Sequence, residues 1–249
     1  MRLALLSDLH ANRQALDACL ADARAREATQ YAFLGDLVGY GAEPGAVVDC
    51  VMALAERGAW VLRGNHDDAA LAPVAGSQRA DQAGAAWTQA QLSSGQREFL
   101  GALPLVVRHE FLFLVHASAH RPERWDYVDE PRSAAASLEA ASAEGASHVF
   151  SGHVHAQRLF YQGAGRSVMA FEPRQNAAIS LGRHRRWHAT VGSVGQPRDG
   201  SSLAMYALFD LPTLQLSFQR VDYDHETSAR KIREAGLPES NAARLSKGT

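Results

Sequence analysis

The chain has little cysteine: among 249 residues only Cys19 and Cys50. Both fall in stretches patterned as helices, and their spacing fits no thiolate metal motif. A disulfide framework is set aside, and two reduced thiols in a reducing compartment are expected. No apolar run is long enough to span a bilayer. The apolar start, Met1 to Leu6, meets Ser7-Asp8 too early for a signal peptide, so the expectation is a cytoplasmic protein. A large excess of charge of either sign is missing as well. With 25 basic against 27 acidic residues the formal net charge is -2, which argues against a general nucleic-acid or anionic-membrane binder. There is no low-complexity linker and no internal repeat to mark a domain boundary. What remains is an ordinary globular composition, 46% hydrophobic, in a chain long enough for a sizeable core.

The first 67 residues read strand–helix–strand–helix–strand, the pattern of parallel βαβ units. Leu3-Ala4-Leu5-Leu6 is a continuous apolar run, like a strand buried on both faces. Asn12 opens a helical pattern with Leu16, Cys19, Leu20 and Ala23 on one face. Tyr31 to Leu34 is the next run, and Pro44 suits the first turn of a helix carrying Val47, Val48 and Val51. Ala59 to Leu62 is the third run. A helical insert is expected over about 69–103, with a break at Ser93-Ser94-Gly95, ended by Pro104. A hairpin of Leu105–Val107 and Phe111–Val115, a helix over Arg132–Ala143 and a strand at His148–Phe150 follow. Short strands between Gly-rich turns come next, then a last hairpin, Leu203–Phe209 with Leu214–Val221. From about 224 to 249 a polar tail is expected, with one short helix around Ile232 and a frayed end.

Five apolar runs are followed at once by ligand-type residues. They carry Asp8 and His10, Asp36, Asn65 and His66, His116, and His153 with His155. In a parallel α/β sheet the carboxyl ends of strands share one edge, where ligands bind. Alternate residues of a strand point to one face, so Asp8/His10 and His153/His155 can each deliver two ligands to one locality. Without His66, the seven nitrogen or oxygen donors Asp8, His10, Asp36, Asn65, His116, His153 and His155 exceed what one ion needs and suit two divalent metals sharing a carboxylate. Without a thiolate they favour Mn, Fe, Co, Ni or Zn and do not choose among them. Two carboxylates against two divalent ions leave positive charge, which attracts an anion such as a phosphate ester. In Gly64-Asn65-His66-Asp67, Gly and Asn permit an unusual turn, and Asp67 can orient His66.

In order along the chain, Asp8-Leu9-His10, Gly35-Asp36, Gly64-Asn65-His66-Asp67, His116 and Gly152-His153-Val154-His155 resemble the calcineurin-like metallophosphoesterases. The Gly192–Asp199 block and the Trp87, Phe99-Leu100 and Leu103-Pro104 region look like one prokaryotic, phosphodiesterase-type branch. The resemblance implies an α/β fold, a two-sheet αββα sandwich, over a single domain 1–249 with the helical insert. It implies that Asp8, His10 and His155 hold one metal, that Asp36 bridges, and that Asn65, His116 and His153 complete the second. A metal hydroxide would attack phosphorus in line, His66 would protonate the leaving oxygen, and Asp67 would orient His66. One departure is informative. Family members acting on phosphoproteins or symmetrical dinucleoside tetraphosphates carry Asp-Arg-Gly after the second block, where this chain has Gly39-Tyr40-Gly41. Tyr cannot make an arginine fork. This tilts the expected substrate toward a small or nucleotide-like phosphodiester, with Arg63 and Arg198 as substitute cations. A phosphomonoesterase, a dinucleoside-polyphosphate hydrolase and a non-enzymatic metal-binding scaffold are the alternatives. The oligomeric state is open.

Outside these blocks the bland reading prevails. His109, His120, His148, His184, His188 and His225 are expected to be surface or hydrogen-bonded structural residues. Arg183 to His188 is read as a solvated hairpin rather than a nucleic-acid contact.

Overall fold

The computed structural model describes residues 1–73, 80–165 and 167–249. In chain order the elements are β1 (Arg2–Leu6), α1 (Arg13–Ala25), β2 (Gln30–Phe33), α2 (Pro44–Ala55), β3 (Trp60–Val61), α3 (Asn65–Leu71), α4 (Ala80–Gln91), α5 (Ser94–Ala102), β4 (Val106–His109), β5 (Leu112–Val115), α6 (Pro131–Ala143), β6 (His148–Ser151), β7 (Gln157–Gln162), β8 (Val168–Phe171), β9 (Ile179–Ser180), β10 (Arg186–Val191), β11 (Ala204–Asp210), β12 (Gln215–Val221), α7 (His225–Glu234) and α8 (Glu239–Lys247). They form two mixed sheets, ordered β3-β2-β1-β11-β12-β9 and β4-β5-β6-β10-β7-β8.

Strand alternation sorts the core into layers. Leu3 and Leu5 of β1 point into the interface between the sheets, where they join Leu112, Leu114 and Phe150. Ala4 and Leu6 point the other way, onto α1 and α2, beside Leu16, Cys19, Val47 and Val51. Phe113 and Val115 of β5 pack with Leu138 of α6 on the far side. The result is helix, sheet, sheet, helix, as expected for an αββα sandwich. Each fully buried Leu contributes roughly 1.5–3 kcal/mol, which is why β1 is apolar on both faces.

Strands β1, β2 and β3 run parallel, and so do β5, β6 and β10. The carboxyl ends of β1, β2, β3, β5 and β6 carry the candidate residues, so ligands from both sheets meet at one edge. The 69–103 stretch is helical in α4 and α5, with the Ser93 hydroxyl and Gln96 side chain forming a capping box at the expected break. Its part 74–79 lies outside the described residues.

The C-terminal segment differs from the expected frayed tail. It folds into two helices, α7 and α8, closed on each other by Ala229, Ile232, Ala242 and Leu245. Polar bonds hold the pair to the body: Lys231 to Glu43 at 2.8 Å, the Ser228 hydroxyl to Asn12 Oδ1 at 2.9 Å, and Asn241 Nδ2 to the Tyr40 carbonyl at 3.1 Å. A narrow stripe of small apolar residues and anchors that are mostly hydrogen bonds make such a pair look like solvated tail. The Arg183–His188 run is corrected in the same way. Arg183 to Arg186 are exposed, but Trp187 and His188 are buried in β10.

Candidate active site

The loops that carry the candidate residues are tightly constrained. Asp8, His10, Asp36, Tyr40, His153 and His155 all have φ between 47° and 68°, the left-handed region that costs a non-glycine residue about 1–2 kcal/mol. Neighbouring backbone holds them there. Asp8 N–H donates to the Gly35 carbonyl at 3.1 Å and His10 N–H to the Asp36 carbonyl at 3.0 Å. The Gly192–Asp199 block buttresses the same turn: Val194 N–H donates to Ser7 O, and Ser193 Oγ and Gly195 N–H donate to Asp8 O. Gly64 is extended, with φ -109°, so its use is not an unusual angle. A Cβ there would lie 2.2 Å from Asp36 Oδ1, and one at Gly152 would lie 2.4 Å from Asp8 Oδ2. Both glycines are needed because a carboxylate packs against bare backbone.

Two triads result. Ligand atoms of Asp8, His10 and His155 lie within 4.8 Å of one another, and so do those of Asp36, His116 and His153. The tautomers follow from the backbone. The Nδ1–H groups of His10, His155 and His116 donate to the carbonyls of Val38 (3.1 Å), Gln196 (2.6 Å) and Leu34 (2.8 Å). A carbonyl only accepts, so in each neutral ring Nε2 carries the lone pair. Yet His10 Nε2 and His155 Nε2 are 3.0 Å apart, and His116 Nε2 is 3.1 Å from Asn65 Oδ1 and 3.4 Å from Asp36 Oδ2. Asp36 Oδ2 also lies 3.8 Å from His10 Nε2, between the triads. Asp36 Oδ2 and His153 Nε2 are buried without a hydrogen-bond partner among the described residues. Acceptors converging on acceptors, with the second ring nitrogen tied to a carbonyl, is the arrangement that a cation satisfies.

Without a cation the site polarises itself. Burial opposes the charged form of Asp36, but His116 and His66 outweigh it and hold the carboxyl well below the usual range. Burial raises Asp8 too, and His155 overcomes this, so Asp8 is also held down. Burial disfavours His116 cation, but Asp36 prevails and lifts its pKa to about 9. Burial and then His116 push His153 down to about 4.

His66 stands beside the first triad, its ring centroid 5.1 Å from that of His10 and 4.4 Å from that of Tyr40. Its backbone N–H, at the start of α3, donates to Asp36 Oδ1 at 2.8 Å. Burial lowers its pKa. Asp67 does not take the expected orienting position. Its Oδ1 accepts from Leu37 N–H (2.9 Å) and Val38 N–H (3.2 Å), and its Oδ2 from Gly64 N–H (2.8 Å). Residue i+1 of a helix start points away from residue i, and here it points down into the loop after β2. Asp67 therefore laces that loop to the Gly64 turn. Burial and then Asp36 push its carboxyl up to about 7.

The two arginines separate. Arg63 turns away, to Asp68 at 3.0 Å and the Gly101 carbonyl at 3.2 Å. Arg198 stays, with its guanidinium carbon 5.6 Å from the Tyr40 ring centroid and Nη2 donating to Gln196 Oε1. Two aromatic residues were not singled out from the sequence. The loop after β5 brings Trp125 edge-on to His116 (centroids 5.7 Å) and stacks Tyr127, 54% exposed, on His153 at 4.2 Å. Their only hint was two aromatics in a polar loop just beyond a ligand-bearing strand end.

Known proteins are similar to this chain in sequence and fold. The model of the calcineurin-like phosphoesterase superfamily domain matches residues 1–213. The uncharacterized protein MJ0912 of Methanocaldococcus jannaschii is 31% identical over 258 residues, spanning 98% of this chain and 96% of that protein. A metallophosphoesterase from Sphaerobacter thermophilus superposes with a TM-score of 0.87 at 33% identity, over 100% of this chain and 99% of that one. The hypothetical protein PH1004 from Pyrococcus horikoshii OT3 has the same fold, with a TM-score of 0.77 at 23% identity over 100% and 98% of the two chains. The chain belongs to the calcineurin-like phosphoesterase superfamily.

Proposed function

We propose that the protein is a dinuclear-metal phosphodiesterase in which Asp8, His10 and His155 hold one divalent ion, Asn65, His116 and His153 hold the other, and Asp36 lies between them. The observation that carries this reading is the pair of Nε2 lone pairs of His10 and His155 at 3.0 Å, each fixed by an Nδ1–H bond to a carbonyl. The unpartnered Asp36 Oδ2 and His153 Nε2 support it for the second position. Divalent ions bound there supply charge stabilisation at phosphoryl oxygens and a lowered water pKa. The oxygen and nitrogen donors admit Mn, Fe, Co, Ni or Zn.

The chain's own groups do the rest. His66, beside but outside the triads, gives its proton to the leaving oxygen when it is charged, the form that burial disfavours. Asp67 holds the loop that carries Asp36 and Tyr40 and does not reach His66. Tyr40 stands where an arginine fork would otherwise grip phosphate, and its ring fills the space between His10, His66 and Arg198. A monoester dianion loses more from a missing fork than a diester monoanion does, so the diester is the preferred class of small phosphoester. Of the two expected substitute cations, Arg198 stays here, over the Tyr40 ring. Residues 1–249 act as one domain, and the free thiols of Cys19 and Cys50 fit a cytoplasmic location.

The test is hydrolysis by Mn-loaded protein. An activated aryl phosphodiester should turn over faster than the matching monoester, and chelation should abolish both. H66A should lose about 10²–10⁴-fold with an alkyl leaving group and less with nitrophenolate. Equal loss with both leaving groups contradicts the role of His66, and absence of turnover with every divalent ion favours a binding scaffold.

A further inference from the structure

His66 has a second neighbourhood that the proposed hydrolysis leaves unassigned. A cavity of about 250 Å³, with His66 but no triad residue in its lining, opens between the Tyr40 loop, α4 and the start of α8. Its lining includes His66, Tyr40, Thr88, Ser240, Asn241 and Arg244. The α7–α8 pair lies beyond residue 213, where the superfamily domain match stops, and it builds one whole wall of this cavity.

The wall is fixed rather than loosely apposed. Asn241 Nδ2 donates to the Tyr40 carbonyl, so the residue whose ring packs against His66 is tied directly to α8. Lys231 to Glu43 and Ser228 to Asn12 hold α7 to the loops on either side. The charge of the wall is equally specific. Arg230, Lys231 and Arg233 of α7 pair with Glu234, Glu43 and Glu239. Arg244, half-buried, has no carboxylate within ion-pair distance among the described residues, and no described lining residue is acidic. A guanidinium in a partly enclosed cleft with no acid among its described lining residues is a site for an anion, through a bidentate fork.

Position decides which anion. The group that accepts a proton from His66 is the leaving oxygen, so what is attached to it extends past His66 into this cavity. We propose that the cavity is a leaving-group subsite for an alcohol carrying its own anionic group, a carboxylate or a phosphate, held by Arg244. The hydroxyl of Ser240 at the rim is placed to add a hydrogen bond, and Ala85, Leu237 and Pro238 offer an apolar surface for the carbon frame. This rests on the proposed diesterase reading for its orientation, but not for the existence of the anion site.

The test uses the full chain and two probes. Methyl 4-carboxyphenyl phosphate and methyl 4-carbamoylphenyl phosphate differ only in the charge of the leaving group. For Mn-loaded wild type the ratio of their kcat/KM values should favour the carboxylate. In R244Q that ratio should fall at least tenfold, and R244K should restore part of it, which also guards against misfolding of R244Q. Separately, 4-hydroxybenzoate is titrated into chelator-treated wild type and R244Q. Wild type should bind it at least tenfold more tightly. If R244Q leaves both the ratio and this binding unchanged, the subsite is refuted while the diesterase reading stands. If binding depends on Arg244 but metal-loaded protein cleaves neither diester, the subsite stands and the diesterase reading fails.

Discussion

His10 and His155 meet Nε2 to Nε2 at 3.0 Å, each with its Nδ1–H donated to a backbone carbonyl. Two lone pairs in that geometry repel unless a proton or a metal lies between them. A bound divalent ion is therefore coupled to folding stability. Excess Mn or Zn, at about 100 times the dissociation constant, should add roughly 2.7 kcal/mol for each ion bound. Thermal unfolding with and without chelator measures this. H155A should lose about half of the metal-dependent gain. An unfolding midpoint indifferent to metals contradicts the expectation.

Asp67 is predicted to act through the backbone. Its two oxygens accept three N–H bonds, from Leu37, Val38 and Gly64. Asn keeps one acceptor oxygen and turns an NH2 toward a buried donor, which costs about 1–3 kcal/mol. D67N should lower the free energy of unfolding by that amount in denaturant titrations of chelator-treated protein. Unchanged stability together with lost turnover would return Asp67 to the role of orienting His66.

Gly64 and Gly95 should respond oppositely to the same methyl group. At Gly64 a Cβ would lie 2.2 Å from Asp36 Oδ1 and 2.3 Å from Asp36 N, so G64A should destabilise by about 1–3 kcal/mol and weaken metal binding. At Gly95, in the first turn of α5, nothing lies within 4 Å of the new atom. G95A should stabilise by about 0.4–1 kcal/mol by restricting the unfolded chain. Denaturant midpoints of the two variants settle both signs.

Acid sensitivity should trace in part to a buried histidine that belongs to neither triad. Burial lowers His188 to about 3, and its Nε2 pairs with the Ser151 hydroxyl at 2.8 Å. A depressed histidine favours the neutral form in the fold. Its contribution is complete above the unfolded pKa of about 6.5 and erodes as pH falls toward the folded value. His148, lowered to about 4 by burial, acts with the same sign. Between pH 6 and pH 4, in chelator, H188N should reduce the slope of stability against pH by about 1.4 kcal/mol per unit. An unchanged slope contradicts burial of a neutral His188.

Much of this site was legible because its signal is one-dimensional. Asp8, His10, Asp36, Asn65, His116, His153 and His155 each follow an apolar run directly, and a parallel sheet converts such positions into one edge. The same logic failed where contacts are long-range. Asp67 adjoins His66 in sequence, but the helix start turns it toward Leu37 and Val38. Tyr127 reaches His153 from a loop with no periodicity. Ala229, Ile232, Ala242 and Leu245 are too few and too small to announce a packed pair, and their anchors, Asn12, Glu43 and Tyr40, lie about 190–220 residues away in the chain. Composition reads that segment as a tail, but its packing makes it a wall of the cleft.

The central claim is that the two triads hold two ions. Crystals grown with Mn should give two anomalous difference peaks at the strand ends, recorded at a wavelength where Mn scatters anomalously. One peak should be in contact with Asp8, His10 and His155, and the other with Asn65, His116 and His153, with Asp36 touching both. A crystal grown in saturating Mn with no peak at either triad, or with Mn bound only elsewhere on the surface, would contradict it.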